Sequence, residues 1–362
     1  MKPPLLIVSP EFPPRRGGVA DHTANLAAGL GERFKVKVLT SAGDQLPGNG
    51  EYQVLPLITT WSSWVSETLL NTTITRLASG VPVLWQYVPH MYGKGGVNPA
   101  IPRVMRKLRA AGTRQLVIAH EIAAPLSPWP HRLRYALAHR RQWRGILEAI
   151  DAVGISTEAW LREWAAQKPA RAAKLFLSPS PASIPVTPVA AGHPQAWREA
   201  NGLPATARVL AYFGTISGNR RVEWLFNAWR RAQSPEAPGA LVFLGDEPVT
   251  PPVSGLESLY RPLGFLPAAQ VSQALQAADL LALPFTDGVS ERRTTFMAGL
   301  SHGLPVLTTL GHNTGLALRQ ADFFRAVDCA DGDNFAHAAL ELLRDDSLRL
   351  RLGAAGRQAY ER

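Results

Sequence analysis

Short runs of apolar residues alternate with longer amphipathic stretches along the whole chain. In the first half the runs occupy 5–9, 35–40, 81–87, 115–119 and 152–155. They are four to seven residues long and bounded by Gly, Pro or charge. That is the pattern of strands buried on both faces. Between them, 20–30, 63–77, 100–111, 131–149 and 157–167 read as helices. Strand–helix alternation of this kind predicts a parallel sheet wrapped by helices.

The texture changes at Pro179-Ser180-Pro181-Ala182-Ser183-Ile184-Pro185-Val186-Thr187-Pro188, which holds four prolines in ten residues. Such a stretch cannot continue a helix and makes a poor central strand. It predicts a stiff, extended linker over 181–205, between an N-terminal domain over 1–180 and a C-terminal domain over 206–362. Alternation then restarts, with strands expected at 209–213, 240–244, 280–283, 306–309 and 323–327. Helices are expected at 222–232, 268–277, 292–301 and 334–343. The expected fold class is α/β: two Rossmann-like, doubly wound domains facing an interdomain cleft. Open α/β sheets bind ligands beyond the carboxyl ends of their strands, so the site is expected in that cleft.

Three loops carry candidate chemistry. The first, Ser9 to Ala20, brings Gly17-Gly18 to the start of a helix. Glycine lets backbone N–H groups approach a ligand, and a helix amino end favours phosphate; an ordinary βα turn is the alternative. The second, Gly214-Thr215-Ile216-Ser217-Gly218-Asn219-Arg220-Arg221, puts two arginines at a helix start. Cations are disfavoured there unless an anion offsets them, and guanidinium groups match phosphate oxygens; two solvated surface arginines are the alternative. The third runs from Phe285 through Ser290-Glu291-Arg292-Arg293-Thr294 to Gly303-Leu304-Pro305-Val306. Ser290 is placed to cap the helix, and Gly303 to end it. Two helix starts in one domain, each with an Arg pair, point to one polyanionic ligand such as a diphosphate.

These anchors resemble a GT-B glycosyltransferase of the large retaining family called family 4. The resemblance spans nearly the whole chain, and 288–309 with its Gly-Leu-Pro-Val ending is its most specific part. It implies a nucleoside diphosphate sugar donor on the C-terminal domain and an acceptor on the N-terminal one. It further implies transfer to a hydroxyl with retention, no metal and no cofactor beyond the donor. Gly17, Gly18, Gly214, Thr215, Arg220, Arg221, Ser290, Glu291, Arg292, Arg293 and Thr294 are the implied donor-binding residues. Two departures stand out. Thr215 replaces an arginine, with Arg220 at the family's lysine position. Ser290 and Ala298 occupy the places of a pair of glutamates with seven residues between them, with Glu291 one residue off. An unusual donor site or donor preference follows.

In the first half, His120 follows a strand where the family keeps an active-site histidine, and is the candidate catalytic residue; a structural histidine is the alternative. Asp21 and His22, after the Gly-Gly loop, are candidates for orienting the acceptor. Asp21 equally complements the helix dipole. Tyr92 lies in a Gly-rich loop, Tyr87 to Gly96, that suits either an acceptor loop or a plain connection.

Composition narrows the setting. The 362 residues include 38 Lys+Arg against 28 Asp+Glu, a net charge of +10, with 46% hydrophobic residues. That excludes dominant disorder and suits two domains. The single cysteine, Cys329, excludes an intrachain disulfide, and its scarcity fits a reducing, cytoplasmic setting. No run approaches the roughly 20 apolar residues of a membrane span. The histidines have no metal-binding spacing, and there is no Walker loop or Gly-x-Ser-x-Gly elbow. Positive charge concentrates at Arg103, Arg106, Lys107, Arg109 and Arg114, and at Arg132, Arg134, Arg140, Arg141 and Arg144. Interleaved with apolar residues, these helices suit an anionic membrane surface or an ordinary solvated face. Nucleic acid is the less favoured partner, since no nucleic-acid module is present. The expectation is a peripheral enzyme acting on a glycan or lipid-linked acceptor in envelope polysaccharide or glycolipid synthesis. The rivals are a hydrolytic or epimerising GT-B protein and a non-catalytic sugar-nucleotide binder. The chain ends within a helical segment where family members continue with a further helix, so a truncated C-terminus is a further expectation.

Overall fold

The computed structural model describes residues 2–15, 17–43, 50–61, 63–124, 126–167, 172–216, 218–245 and 254–362. Two compact units divide the chain, Met1–Pro179 and Ser180–Arg362.

The first unit holds seven strands: β1 Pro4–Val8, β2 Lys35–Ser41, β3 Tyr52–Ile58, β4 Val83–Tyr87, β5 Gln115–Ala119, β6 Ala152–Ile155 and β7 Leu175–Leu177. Helices α1 Gly18–Gly31, α2 Ser63–Leu77, α3 Ala100–Ala110, α4 Pro130–Ala149 and α5 Glu158–Gln167 alternate with them. The strands form one sheet in the order β3-β2-β1-β4-β5-β6-β7, every pair parallel. The order reverses between β1 and β4. The loops leaving those two strands therefore diverge, one to each side, and open a crevice at their carboxyl ends. Short apolar runs produced this sheet because both faces are covered: Leu6, Ile7, Val8, Trp85 and Tyr87 have essentially no exposed surface.

The second unit repeats the plan with β8 Arg208–Phe213, β9 Gly239–Leu244, β10 Tyr260–Pro262, β11 Leu280–Leu283, β12 Val306–Leu310 and β13 Arg325–Asp328. Its helices are α6 His193–Ala200, α7 Val222–Arg231, α8 Ala268–Ala277, α9 Thr294–Ser301, α10 Leu316–Arg319, α11 Gly332–Arg344 and α12 Asp346–Glu361. The sheet order is β10-β9-β8-β11-β12-β13, again parallel. Here the reversal falls between β8 and β11, so the loops after these two strands share one crevice. The short apolar helix α9 lies hard on the sheet. A Cβ at Gly299 would come within 2.6 Å of Val306 and 2.7 Å of Leu281. That close approach fixes where its amino end points.

The Pro-rich stretch is not a free linker. Residues 181–205 belong to the second unit and contain α6. Thr187 N–H donates to Ser272 Oγ at 2.9 Å, and Ala182 N–H to the Tyr360 hydroxyl at 3.1 Å. Proline stiffness made the segment extended, while its free N–H groups and apolar side chains tied it to α8 and α12. Strands β3, β7 and β10 went unread in the sequence because they are sheet-edge strands, two of them only three residues long, and β3 and β10 mix polar with apolar residues. No helix among the described residues is long and apolar enough to cross a membrane.

Candidate active site

The second unit gathers the two loops at its β8/β11 reversal. Arg220 bridges backbone-to-backbone with Phe285, and Arg221 N–H donates to the Pro284 carbonyl at 2.9 Å. The Gly214 loop thus lies against the segment that leaves β11. The guanidinium carbon of Arg220 stands 4.3 Å from the Phe285 ring centroid, and that of Arg293 stands 4.5 Å from the same centroid. Phe285 has no exposed surface. A cation over an aromatic face gains about 0.5–2 kcal/mol when desolvated, which helps offset the burial of two like charges. Asn219 Oδ1 accepts from Arg220 at 2.7 Å. Arg293 donates to both Asp287 carboxylate oxygens at 2.5 Å, and Asn313 holds Asp287 Oδ2 at 2.8 Å.

Burial pushes the Arg293 guanidinium down to about 10 against the pull of Asp287, with Arg220 and Arg292 adding repulsion. Burial also lowers Arg220, opposed by Tyr212 and Asp287. Both remain cations at neutral pH. The cluster of Arg220, Arg293 and Asp287 carries one net positive charge at the carboxyl end of β11. Two of its N–H groups, Nε of Arg220 and Nε of Arg293, are buried without a hydrogen-bond partner among the described residues. The loop geometry is held by Gly288, at φ +87. A Cβ there would come 2.2 Å from the Gly311 nitrogen.

The other expected donor residues divide. Gly214 sits beside the start of α9, its would-be Cβ 3.4 Å from Thr295, and Thr215 accepts from the Tyr212 hydroxyl at 2.9 Å. Thr294 opens α9, half-buried, and Arg292 is half-buried just before it. Glu291 is buried, its carbonyl holding the Ser180 N–H at 3.0 Å. Arg221 does not converge on the cluster. It is exposed, its guanidinium 6.0 Å from the Trp224 ring. Ser290 does not cap the helix. Arg293 takes the N-cap place without a side-chain cap bond, and Ser290 Oγ is buried with no partner among the described residues. A helix starting at Thr294 has its N-cap at Arg293, which puts Ser290 three residues too far back for a side-chain cap. Ala298, at the second of the family's glutamate positions, is fully buried in the core.

In the first unit the β1/β4 reversal brings together α1, β4 and the residue after β5. His120 Nε2 lies 2.6 Å from Gln86 Oε1, and Gln86 Nε2 lies 3.3 Å from His22 Nδ1. The two imidazoles meet edge to face, centroids 4.7 Å apart at 83°. His22 is 6% exposed, and burial pushes its imidazole down to about 4. His22 therefore sits behind the surface rather than on it. Asp21 is exposed in the first turn of α1, with its carboxyl raised by partial burial. Gly17 precedes the helix in an extended conformation, and a Cβ at Gly18 would meet nothing within 4 Å. Neither turn geometry nor packing requires glycine at 18. Tyr92 is corrected from an acceptor residue to a core one: it has no exposed surface, and its hydroxyl donates to the Gln86 carbonyl at 2.6 Å. Its ring packs between Trp61 and Tyr87.

Gln86, Asp287, Asn313 and Phe285 were missed in the sequence. Gln86 had a signal, a lone amide inside the apolar run Val83-Leu84-Trp85-Gln86-Tyr87. Asp287 and Asn313 are 26 residues apart on loops after different strands, and nothing local pairs them. Among the described residues, no group of three or more His, Cys, Asp or Glu could hold a metal ion.

This architecture, two doubly wound parallel sheets each with a crevice at its strand-order reversal, is the GT-B fold. Residues 207–345 match the family of Glycosyl transferases group 1. HepE from Anabaena, solved in complex with UDP-glucose, is similar with a TM-score of 0.69 at 16% identity, over 99% of this chain and 94% of that one. Sucrose-phosphate synthase from Thermosynechococcus elongatus gives 0.68 at 17%, over 99% and 94%. WaaG, a glycosyltransferase involved in lipopolysaccharide biosynthesis, gives 0.66 at 15%, over 99% and 95%. No curated sequence matches the chain. The chain has the GT-B fold, and 207–345 in its second unit are similar to the group 1 glycosyl transferases.

Proposed function

We propose that the protein transfers a sugar from a nucleoside diphosphate sugar to an acceptor hydroxyl with retention, in the manner of family 4, without a metal. The observation that carries this is the pair of buried guanidinium groups on Phe285, at the carboxyl end of β11 and beside the Gly214 loop. As the bond from anomeric carbon to diphosphate breaks, negative charge grows on the leaving group. Arg220 and Arg293 are preorganised donors for that charge, and their repulsion falls when an anion joins them. Thr215 and the amino end of α9 complete the diphosphate-binding surface. The bond to the acceptor oxygen forms as its proton departs, and His120 is the residue assigned to sugar hydroxyls or to that proton. UDP-glucose is the first donor to test, because HepE binds it.

The acceptor is assigned to the first unit and to envelope polysaccharide or glycolipid chemistry at an anionic membrane. Leu126, Trp129 and Leu137 are 61%, 63% and 54% exposed, and Arg132, Arg134, Arg141 and Arg144 beside them are exposed too. Leu133 and Leu137 share one face of α4, and Trp129 is the residue just before its first turn. An apolar ridge edged with arginine suits a lipid headgroup layer.

A second reading is favoured by one observation: Ser290 and the buried Ala298 stand where the resemblance places carboxylates. It makes the protein a sugar-nucleotide binder without turnover. Thermal shift against nucleoside diphosphates and their sugars, followed by product analysis with and without acceptor, tests both. Stabilisation by one sugar nucleotide with transfer supports the transferase. Calorimetric binding with no product on any acceptor supports the binder, free sugar alone supports a hydrolase, and no binding at all refutes both main readings.

A further inference from the structure

Gln86 is a primary amide with no exposed surface, in the middle of an apolar sheet. Burying such a group costs several kcal/mol unless its hydrogen bonds are met. They are met by two histidines from different elements, and the chemistry of the amide dictates their protonation. A carbonyl oxygen only accepts, and an NH2 group only donates. Gln86 Oε1 faces His120 Nε2 at 2.6 Å, so that nitrogen carries a proton. Gln86 Nε2 faces His22 Nδ1 at 3.3 Å, so that nitrogen carries none. Burial of His22 keeps it neutral and so preserves the acceptor. The strand itself is pinned, because the Tyr92 hydroxyl donates to the Gln86 carbonyl at 2.6 Å and His120 N–H donates to the Tyr87 carbonyl at 3.0 Å.

We propose that Gln86 is a positioning residue for His120: anchored on the neutral imidazole of His22, its amide holds His120 as the Nε2–H tautomer, with the lone pair on Nδ1. Protonation of His120 at Nδ1 keeps the bond to Gln86 intact. With the amide reversed, His120 would need a bare Nε2 and would carry its proton on Nδ1. His22 acts one step further back, as the reference that decides which way the amide points. This inference rests on the reading of His120 as a site residue of a transferase.

The tautomers are read directly by long-range 1H–15N correlation on the full chain labelled at histidine nitrogen, at pH 8, with His22→Phe used for assignment. The expected result is a proton on Nε2 of both His120 and His22. A proton on Nδ1 of His120 overturns the proposal. In Gln86→Leu, His120 is expected to become a mixture of tautomers. Turnover should fall at least tenfold while the KM for the donor stays within twofold. A single unchanged His120 tautomer in Gln86→Leu overturns the proposal. Should Gln86→Leu fail to fold, His22→Phe serves: it keeps ring bulk but removes the anchor, and an unaltered His120 tautomer there also overturns it. The tautomer readout needs no substrate. Absence of any transfer by the wild-type protein therefore counts against the transferase reading, separately from the role of Gln86.

Discussion

Arg220 and Arg293 share one aromatic ring, their guanidinium carbons 4.3 and 4.5 Å from the centroid of buried Phe285. They come from different loops, 73 positions apart by their numbers, yet stand within about 9 Å of each other through that common platform. Their charges differ in how they are met. Arg293 is held by both oxygens of Asp287, whereas Arg220 donates to neutral Asn219. Tyr212 as a hydrogen-bond partner and Asp287 at longer range also act on Arg220, so of this pair Arg220 is the cation whose charge is less fully offset among the described residues.

Arg220→Ala is expected to lower turnover at least tenfold, or about 1.4 kcal/mol in transition-state stabilisation, and to weaken nucleoside diphosphate binding. The melting temperature should not fall, since a buried cation facing another is removed. Steady-state kinetics beside calorimetry checks this, and unchanged activity removes Arg220 from the site.

Asp287→Ala leaves Arg293 buried without its carboxylate. Breaking such a pair from one side costs about 3 kcal/mol. Denaturant unfolding should show that loss, and Arg293→Ala in the same background should recover part of it.

Two glycines separate fold from site. Gly288→Ala is expected to destabilise by about 2–4 kcal/mol, because φ is +87 and the new Cβ would strike the Gly311 nitrogen. Gly18→Ala meets nothing within 4 Å and should leave stability unchanged. If a ligand approaches the backbone there, Gly18→Ala raises KM or lowers turnover. Activity equal to wild type would return the Gly-Gly pair to an ordinary turn.

His22 makes stability depend on pH. Its folded value of about 4 lies below the unfolded 6.5, so the unfolded chain takes up the proton first. The contribution is full above pH 6.5 and is lost as pH falls toward 4, about 3 kcal/mol in all. His22→Phe should flatten the acid limb of stability over that window, read by urea unfolding at pH 7.5, 6, 5 and 4.5. An identical limb in the variant would assign it to other groups.

Trp129→Glu with Leu137→Glu should abolish co-flotation with anionic vesicles at low salt and leave the melting temperature within 2 °C, an estimate that follows from their exposure. Binding should weaken with salt, as expected for exposed arginines. Wild-type protein that fails to float with anionic lipid at low salt removes the membrane part of the proposal.

Much of the architecture was legible because both sheets are buried on two faces. Consecutive apolar runs such as 115–119 and 280–283 were read as the strands that form. The Arg-bearing helix starts were legible as well, since a cation at a helix amino end is locally unfavourable and stands out. What misled was local context without its partner. Pro-rich 181–205 looked like a linker until Ser272 and Tyr360 met its N–H groups. Tyr92 looked like a loop side chain until the core closed over it.

By itself, then, the amino-acid order determined the alternation of strands and helices, the two-unit plan and which loops bear positive charge, because each depends on residues within a few positions. Only the tertiary structure decided which loops meet. Strand order reverses between β1 and β4 and between β8 and β11, and those two reversals put Gln86 between His22 and His120, and Phe285 against Arg220 and Arg293. Those contacts depend on pairing between distant strands, which no window along the chain records.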